Sequence, residues 1–415
     1  MEAPNFGAFF FNTGQMKTTT QTLPLIKASS RTDAVQEYYF SRKLREIEQM
    51  RKAGADIINL GIGSPDLPPS AETIFTLSRS AFNPKNHGYQ SYQGISELRE
   101  AFAGWYSRYF KVELNPDSEI LPLIGSKEGI MHISMTFINP GDEVLVPDPG
   151  YPTYSSATKL SAGVVRNYSL TKEGGWYPNI KELEKSDLSR VKMMWINYPH
   201  MPTGTKATVK LFQELVAFAR KHSILLCNDN PYSFILNKDH LSLLSIEGAK
   251  EVALELNSLS KSHNMPGWRI GMIAGHSGYI KDIIKIKSNM DSGMFKPLQL
   301  AAVTALNSGD EWYDSVNIGY EKRRVIAGKI MDELGCRYDG NQCGLFLWGE
   351  VPHYCKSAEE LTDHLLYNSN VFITPGLIFG TNGERYIRIS LCAPEELLES
   401  ALERIRRSHK VKNVI

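Results

Sequence analysis

A lysine in a polar loop is the first residue of this sequence whose surroundings could support catalysis. Lys261 follows a short apolar run, and Ser258 and Ser260 precede it. Arg269 lies eight residues further on, in a glycine-bounded segment. Serine hydroxyls and a guanidinium fork bind phosphate oxygens well, so the stretch could place a phosphate beside an amine. Taken alone, a lysine in a polar loop is more often a solvated surface residue.

An acidic residue and a tyrosine follow another apolar run. Asp229 ends the run that begins at Leu225, and Tyr232 comes three residues later. In an open parallel sheet, ligands bind beyond the carboxyl ends of the strands, which is where Asp229 would lie. The alternative interpretation is an aspartate that caps a turn or a helix.

A third candidate is the segment Gly125–Gly129, which lies between an apolar strand and an apolar helix. Backbone amides at a helix N-terminus form an anion site, here at Ser126 and Lys127. The alternative is a serine-capped helix after a glycine turn. The sequence contains no GxxxxGK[ST], no GxGxxG after a strand, no GxSxG and no HExxH. We therefore predict neither a P-loop nor a metal site.

The elements that would hold these residues alternate between short apolar runs and amphipathic helices. This alternation predicts an α/β fold with a mostly parallel, seven-stranded sheet. The helices predicted between some of the strands are Glu128–Phe137 and Val209–His222. The predicted strands are Glu119–Ile124, Glu143–Val146, Val164–Ser169, Lys192–Asn197, Ile224–Asn228, Val252–Leu256 and Ile270–Gly275.

The pattern changes after about residue 297, where helices dominate. This change predicts a smaller α+β unit. Its predicted elements are the helices Leu298–Leu306 and Trp312–Leu334, a hairpin at Cys343–Glu350, the strand Tyr386–Ser390 and the helix Pro394–Ser408.

The composition excludes several classes of protein. The 415 residues carry 46 Lys and Arg against 45 Asp and Glu, and a net charge of +1 argues against a protein that coats nucleic acid. With 42% hydrophobic residues the chain can bury large cores, which excludes global disorder. The five cysteines include no CxxC pair, and no window approaches the run of about 18 apolar residues that a membrane helix needs. These features predict a cytoplasmic protein.

Taken together, the motifs resemble those of the class I and II aminotransferases, which are pyridoxal-phosphate-dependent enzymes of fold type I. The resemblance runs from about Leu60 to Ser390 and keeps the motifs in the family's order. Its most specific piece is Ser-x-Ser-Lys followed by Gly-x-Arg-x-Gly, with Asp-x-x-Tyr beginning 32 residues before Lys261. Gly125–Gly129 and Asp291–Phe295 are similar to the branch that contains the LL-diaminopimelate, aspartate and alanine aminotransferases.

The resemblance implies that the cofactor is pyridoxal 5′-phosphate. Lys261 would join the cofactor aldehyde and then carry the proton between the substrate Cα and C4′. Asp229 would pair with the ring nitrogen, and Tyr232 would hydrogen-bond the 3′-oxygen. Tyr151 matches the aromatic residue that stacks on the ring, with core packing as the other interpretation. The other cofactor-binding residues that it implies are Gly125, Ser126, Lys127, Ser258, Ser260 and Arg269 at the phosphate, and Tyr89 reaching a phosphate across a homodimer interface.

For the substrate, the resemblance implies that Arg388 binds the amino-acid carboxylate and that the backbone around Ile62 and Gly63 closes over it. The reaction would be a ping-pong transfer of an amino group from an L-amino acid to a 2-oxo acid, through aldimine and ketimine intermediates. Lys296 and His263 are candidates for a second cation that a dicarboxylic substrate would need.

The resemblance also implies how the chain is divided. We expect a large cofactor-binding domain over residues 60–296 and a small domain assembled from residues 32–59 and 297–415. Residues 1–31 would form an N-terminal arm, whose first 15 residues we expect to be disordered or an artefact.

One position departs from the family's pattern. The family has an asparagine directly before Pro-Thr-Gly, where its amide bonds the cofactor 3′-oxygen, whereas this chain has Met201 there. A thioether cannot replace an amide donor. We therefore expect that Asn197 or His200 supplies a substitute, or that Tyr232 acts alone.

Two alternatives to an aminotransferase remain open. The same lysine and aspartate would serve a C–S β-lyase or another pyridoxal-phosphate enzyme, because substrate orientation decides which bond is broken. A non-catalytic pyridoxal-phosphate-binding regulator belongs to another class of protein. Such regulators carry an N-terminal DNA-binding module, for which the residues before Ala34 are too few.

Overall fold

The structure, a computed structural model, describes residues 25–35, 37 and 39–412. The prediction for the first 15 residues, like most of the predicted arm, lies outside these described residues. None of the described helices has the length and apolar character that a membrane crossing requires.

Thirteen strands form three sheets in the described part of the chain. They are β1 (Ile58–Asn59), β2 (Ile120–Leu123), β3 (Glu143–Asp148), β4 (Val164–Ser169), β5 (Val191–Ile196), β6 (Leu225–Asp229), β7 (Ala253–Ser258), β8 (Gly271–Gly275), β9 (Arg337–Tyr338), β10 (Phe346–Glu350), β11 (Val371–Phe372), β12 (Thr374–Pro375) and β13 (Tyr386–Ser390).

The α-helices surround these sheets. They are α1 (Ser30–Asp33), α2 (Tyr39–Lys52), α3 (Ala71–Ala81), α4 (Ser96–Phe110), α5 (Ser126–Phe137), α6 (Pro152–Leu160), α7 (Ile180–Leu183), α8 (Val209–His222), α9 (Ala249–Val252), α10 (Leu259–Ser262), α11 (Ser277–Lys287), α12 (Lys296–Leu306), α13 (Asp310–Glu333), α14 (Ala358–Ser369) and α15 (Glu395–Lys412). Short 3₁₀ helices occur at Pro84–Asn86, Leu243–Ser245, Pro266–Trp268, Gly376–Phe379 and Thr381–Gly383.

The largest sheet has seven strands in the order β2-β8-β7-β6-β5-β3-β4. Strand β8 is antiparallel to both of its neighbours, and the other pairs are parallel. The seven predicted strands are confirmed, each end lying within two residues of its predicted position. The carboxyl ends of β3, β5, β6 and β7 therefore meet at one edge of the sheet, where a ligand site is expected.

Both faces of this sheet are buried except at the edge strand β4, which is largely exposed, and alternate residues of the other strands enter different cores. In β3, Val144 and Val146 pack in the same core as Trp195, whereas Leu145 packs in the other core with Met194. Strands buried on both faces need nearly continuous apolar runs, which is why they could be recognised in the sequence. The helices supply the covering layers, as in α8, where Thr208 caps the first turn.

A third core unites the beginning and the end of the described chain. It contains residues of α2 and β1 together with residues from 316 to 405. Its four-stranded sheet has the order β12-β13-β10-β9, and β1 pairs with β11 beside it. The predicted hairpin at Cys343–Glu350 is wrong in its first strand, because β10 pairs with β9, which lies earlier in the chain.

Candidate active site

A cavity of ≈ 370 Å³ opens at the carboxyl edge of the large sheet and reaches the four-stranded sheet. Thirteen of the fifteen residues predicted to bind cofactor or substrate line it, which leaves out Gly125 and Tyr89. The lining residues that were predicted are Ile62, Gly63, Ser126, Lys127, Tyr151, Asn197, Asp229, Tyr232, Ser258, Ser260, Lys261, Arg269 and Arg388.

Lys261 lies in α10, the short helix that follows β7. The Ser258 side chain caps this helix by accepting from the Ser260 amide at 3.1 Å. The Lys261 Nζ donates to the Gly63 carbonyl oxygen at 2.5 Å. Burial lowers the pKa of the Lys261 amine, and the nearby Arg388 charge lowers it further. An amine with a lowered pKa is a better nucleophile near neutral pH than an ordinary lysine.

Asp229 is the last residue of β6, and its two carboxylate oxygens differ. Oδ2 accepts a hydrogen bond from the Tyr154 hydroxyl at 2.9 Å. Oδ1 is buried and has no hydrogen-bond partner among the described residues. Burial raises the pKa of the Asp229 carboxyl to about 6, while the Tyr154 hydrogen bond and the Lys261 charge lower it. A buried, unpartnered carboxylate oxygen calls for a cationic or N–H donor from a ligand.

The segment between β2 and α5 forms an anion cradle with Arg269. Gly125 has φ +85, and a Cβ atom added there would lie 2.1 Å from Arg269 Nη2. Only glycine leaves room for the guanidinium at this point. Arg269 Nη1 donates to the Pro266 carbonyl oxygen at 2.9 Å and lies 3.4 Å from Ser260 Oγ. Ser126 begins α5, so its amide points toward the cradle from a helix N-terminus.

Arg388 comes from the middle of β13 and is buried. Its Nη2 donates to the Gly61 carbonyl oxygen at 2.8 Å, and its Nη1 lies 3.3 Å from the Met201 sulfur. The guanidinium lies over the rings of Phe346 and Phe379, at 3.8 Å and 4.6 Å from their centroids. Aromatic rings over its faces hold a guanidinium in one plane, the arrangement in which it can bind a planar carboxylate.

The 61–66 segment, which follows β1, connects Arg388 with Lys261. Besides the contacts of Gly61 and Gly63 just described, the Ile62 carbonyl oxygen accepts from Ser390 Oγ at 2.8 Å. At the end of the segment, Asp66 forms a two-contact ion pair with Arg323 of α13. Three successive carbonyl groups thus hold side chains on both sides of the cavity.

The structure narrows the choice of a substitute for the missing asparagine. Asn197 lines the cavity, but its amide nitrogen donates to the Asp229 carbonyl oxygen and its amide oxygen accepts from the Met201 amide at 2.8 Å. His200 bonds Thr203 at 2.9 Å and is absent from the cavity lining. Burial lowers the pKa of His200 to about 3, so its ring is neutral. His200 is therefore a poor candidate, whereas Asn197, whose amide nitrogen has a second N–H, and Tyr232 both remain.

Three predicted residues lie away from the cavity of the described chain. Tyr89 is 93% exposed. His263 is buried against Ser262 and Tyr313, and burial lowers its pKa to about 3. Lys296 begins α12 and is absent from the cavity lining. The suggestion that His263 supplies a second cation is therefore wrong, since its ring is neutral and faces a packed core.

The sequence analysis missed several residues of the cavity wall. Tyr154 could have been suspected, because it lies one helical turn after Tyr151. The sequence around Arg388 does not indicate which aromatic rings lie near it, because those rings come from elements that are distant along the chain. The residues missed are Phe40, Tyr154, Pro231, Pro266, Phe346 and Phe379.

These residues fit pyridoxal 5′-phosphate. A primary amine, an anion cradle and a buried carboxylate oxygen that needs a donor match the aldehyde, the phosphate and the ring nitrogen. Fold and site together define a pyridoxal-phosphate-dependent enzyme of fold type I. When bound, the cofactor supplies an aldehyde for the lysine and a ring that withdraws electrons from the substrate Cα.

The chain belongs to the aminotransferase class I and II family, whose sequence profile matches residues 55–405. It is 40% identical to the LL-diaminopimelate aminotransferase of Dehalococcoides mccartyi strain BAV1 over 382 residues, which cover 92% of this chain and 98% of that protein. It is 41% identical to the LL-diaminopimelate aminotransferase of Moorella thermoacetica, over 89% of this chain and 95% of that protein. The substrate-bound structure of BacF from Bacillus subtilis aligns with a TM-score of 0.87 and 33% identity, covering 92% of this chain and 98% of BacF. The protein is a pyridoxal-phosphate-dependent aminotransferase.

Proposed function

We propose that Lys261, Asp229 and Arg388 carry the reaction. Lys261 Nζ moves a proton at the substrate Cα, Asp229 Oδ1 accepts from the ring nitrogen, and Arg388 binds the substrate carboxylate. The observation that carries this assignment is that one cavity brings the three side chains together from β6, α10 and β13. Ser126, Ser258, Ser260 and Arg269 hold the phosphate in this proposal.

Arg388 orients the substrate by its carboxylate. The Gly61 carbonyl oxygen, 2.8 Å from Nη2, holds the guanidinium in place, and a guanidinium can bind a carboxylate through two parallel N–H···O bonds. Phe346 and Phe379 restrict the guanidinium to one plane. This placement would present the substrate Cα to the Lys261 amine in the same cavity.

LL-diaminopimelate is the amino donor that we propose, with a 2-oxo acid as acceptor. The support is the name shared by the curated relatives, which are about 40% identical over almost their whole length. Besides Arg388, the cations on the cavity wall of the described chain are Lys127, Lys261 and Arg269. In this proposal these three cations face the cofactor aldehyde and phosphate, so they are not available to the substrate. Neutral groups or a second copy of the chain must therefore recognise the end of the substrate that is remote from Arg388.

Half-reaction spectroscopy tests this substrate. The holoenzyme is mixed with single amino acids, and conversion of the visible cofactor band to the pyridoxamine form is recorded. LL-diaminopimelate should convert the band at lower concentration than alanine or the acidic amino acids. No conversion by LL-diaminopimelate would refute the substrate, and release of pyruvate or a thiol from a cysteine-type substrate would favour the lyase.

A homodimer with shared sites is the second part of the proposal. Exposed apolar side chains are concentrated on α3 and on two neighbouring loops. The two loops touch each other, since a Cβ atom added to Gly293 would lie 2.6 Å from the Gln90 carbonyl oxygen. A face of this kind is typical of an interface with another copy of the chain. The exposed residues concerned are Ile74, Phe75, Phe82, Tyr89, Met290 and Phe295.

Subunit mixing tests whether Tyr89 completes the site of the partner. Tyr89→Ala and Lys261→Ala should each be inactive or severely impaired. When the two variants are unfolded and refolded together, half of the dimers carry one native site, so about a quarter of the wild-type activity should return. A mixture with no more activity than its components would contradict the shared site.

Two further predictions remain proposals. We retain the division into a large and a small domain, but α12 packs on α3 and α4 in a core of the large sheet. The C-terminal part of the small domain therefore begins within α13 rather than at residue 297.

The five cysteines are unpaired, which supports a cytoplasmic location.

A further inference from the structure

A buried tyrosine contacts the carboxylate that would face the ring nitrogen of the cofactor. Tyr154 lies in α6, and its hydroxyl donates to Asp229 Oδ2 at 2.9 Å. Its ring is fully buried and stacks on Trp195, with centroids 4.9 Å apart and planes 6° apart. Trp195 belongs to β5, the neighbour of β6 in the sheet. The position of the hydroxyl is thus fixed by the packing of the sheet itself.

This contact gives the two carboxylate oxygens different tasks. Oδ2 is occupied by Tyr154, whereas Oδ1 is buried and has no hydrogen-bond partner among the described residues. A hydrogen bond at one oxygen restricts rotation of the carboxylate about its Cβ–Cγ bond. The other oxygen therefore points in one fixed direction. We propose that Tyr154 is a positioning residue, whose hydroxyl fixes Asp229 so that Oδ1 alone meets the ring nitrogen. This inference rests on the proposed role of Asp229.

The surroundings of Asp229 make the tyrosine hydroxyl important near neutral pH. Burial raises the pKa of Asp229 to about 6, and the hydrogen bond from Tyr154 opposes this rise. Without that hydroxyl the pKa of Asp229 rises further, and more of the carboxyl is protonated in the free protein. A protonated carboxyl cannot balance a protonated ring nitrogen. The ionisable groups that face Asp229 are Tyr151, Tyr154, Tyr232 and Lys261.

Tyr154→Phe is the test, and Tyr168→Phe is its matched control. Tyr168 is also buried, and its hydroxyl donates to the Trp195 carbonyl oxygen at 2.8 Å, away from the cavity. Cofactor-free protein is titrated with pyridoxal 5′-phosphate from about pH 5 to about pH 9, and binding is followed by tryptophan fluorescence and visible absorbance. Tyr154→Phe should weaken binding about tenfold or more at pH 7, since it removes a hydrogen bond to a charged group. The acidic limb of its binding profile should move to higher pH.

The control and a third variant separate the possible failures. If the pH profile of cofactor binding is the same for Tyr154→Phe and the wild type, Tyr154 only fills space. The same conclusion follows if Tyr168→Phe shifts that profile as much as Tyr154→Phe does. Asp229→Asn should weaken binding strongly, and adding Tyr154→Phe to it should change nothing further. If Asp229→Asn binds the cofactor normally, the proposed role of Asp229 itself fails. If it binds weakly and Tyr154→Phe weakens it again by the same factor, Tyr154 does not act through Asp229.

A measurement on the wild type keeps the inference testable if Tyr154→Phe does not fold. In a crystal structure of the holoenzyme, Oδ1 of Asp229 should lie at hydrogen-bond distance from the ring nitrogen, with the Tyr154 hydroxyl still on Oδ2. A ring nitrogen bonded to Oδ2, or a Tyr154 hydroxyl that has left Asp229, would overturn it.

Discussion

Asp66→Asn removes one charge from the ion pair that holds the 61–66 segment. Arg323 Nη1 and Nη2 lie 2.7 Å and 2.8 Å from the two Asp66 oxygens, and the Arg323 side chain is 8% exposed. In the variant, the guanidinium keeps the Leu391 carbonyl oxygen at 3.2 Å. Removing one partner of a fully buried pair costs about 3–5 kcal/mol. Because the Asp66 side chain is 21% exposed, we expect a loss of about 2–4 kcal/mol in the free energy of unfolding.

Urea unfolding of four proteins measures this loss and its origin. The set is the wild type, Asp66→Asn, Arg323→Gln and the double variant. The double variant leaves no unpaired buried charge, so it should lose about 2 kcal/mol less than the sum of the single variants. Asp117→Asn is the matched control, because its single contact with Arg99, at 2.9 Å, involves an aspartate that is 80% exposed. It should cost less than about 0.5 kcal/mol.

The same variant should weaken substrate binding. The Gly61 and Gly63 carbonyl groups contact Arg388 and Lys261, so a loosened segment leaves both side chains less well placed. We expect the KM for the amino acid to rise about tenfold with a smaller change in kcat, which corresponds to one lost hydrogen bond. Single-variant losses that add within about 0.5 kcal/mol, or a stability loss with an unchanged KM, would refute this reasoning.

Four further predictions concern the cavity. Gly125→Ala should weaken cofactor binding at least tenfold in a fluorescence titration, because a Cβ atom would lie 2.1 Å from Arg269 Nη2; Gly174→Ala, where the nearest atom is 3.4 Å away, is the control. Arg388→Lys should raise the KM for the amino acid about a hundredfold, since an ammonium cannot bind a carboxylate with two parallel bonds, and an unchanged KM would remove Arg388 from substrate binding. Cofactor affinity should fall as the pH drops through about 6, because Asp229 has its pKa raised to about 6 and loses its charge below that pH; an affinity that is flat between pH 5 and pH 7 would contradict this. Met201→Asn places an amide where a thioether contacts Arg388, so the pH titration of the visible cofactor band should move, whereas Met201→Leu should leave it in place.

The cofactor side of the cavity could be predicted from the sequence because its residues are close together along the chain. All the predicted strands except the exposed edge strand β4 are buried and therefore read as apolar runs, and the residues at their ends could be placed at one edge. Ser258, Ser260, Lys261 and Arg269 lie within a dozen positions, so their spacing is preserved as a motif.

The substrate side could be predicted only in part, because distant segments meet there. Phe346 reaches the cavity because it pairs with Ser390 across two antiparallel strands, a register that no local pattern specifies. Lys261 and Gly63 are in contact although 198 positions separate them. Asn197 was one of three candidates for a contact with the cofactor 3′-oxygen, and only the packed structure shows that its amide also bonds the backbone at Asp229 and Met201.

The reversed direction of β8 has a consequence for how this enzyme can evolve. The chain leaves the sheet at Ser258, forms α10 and re-enters at Gly271, which lies opposite Ser258 in the register. Both Lys261 and Arg269, the arginine that we propose binds the phosphate, thus belong to one short excursion, closed at its base by the Leu259 amide and the Ile270 carbonyl group. Arg388, which we propose binds the substrate, contacts other segments of the chain, at Gly61 and Met201. If these assignments hold, mutations around Gly61, Met201 and Arg388 should change substrate preference while the segment from Ser258 to Gly271 still anchors the cofactor.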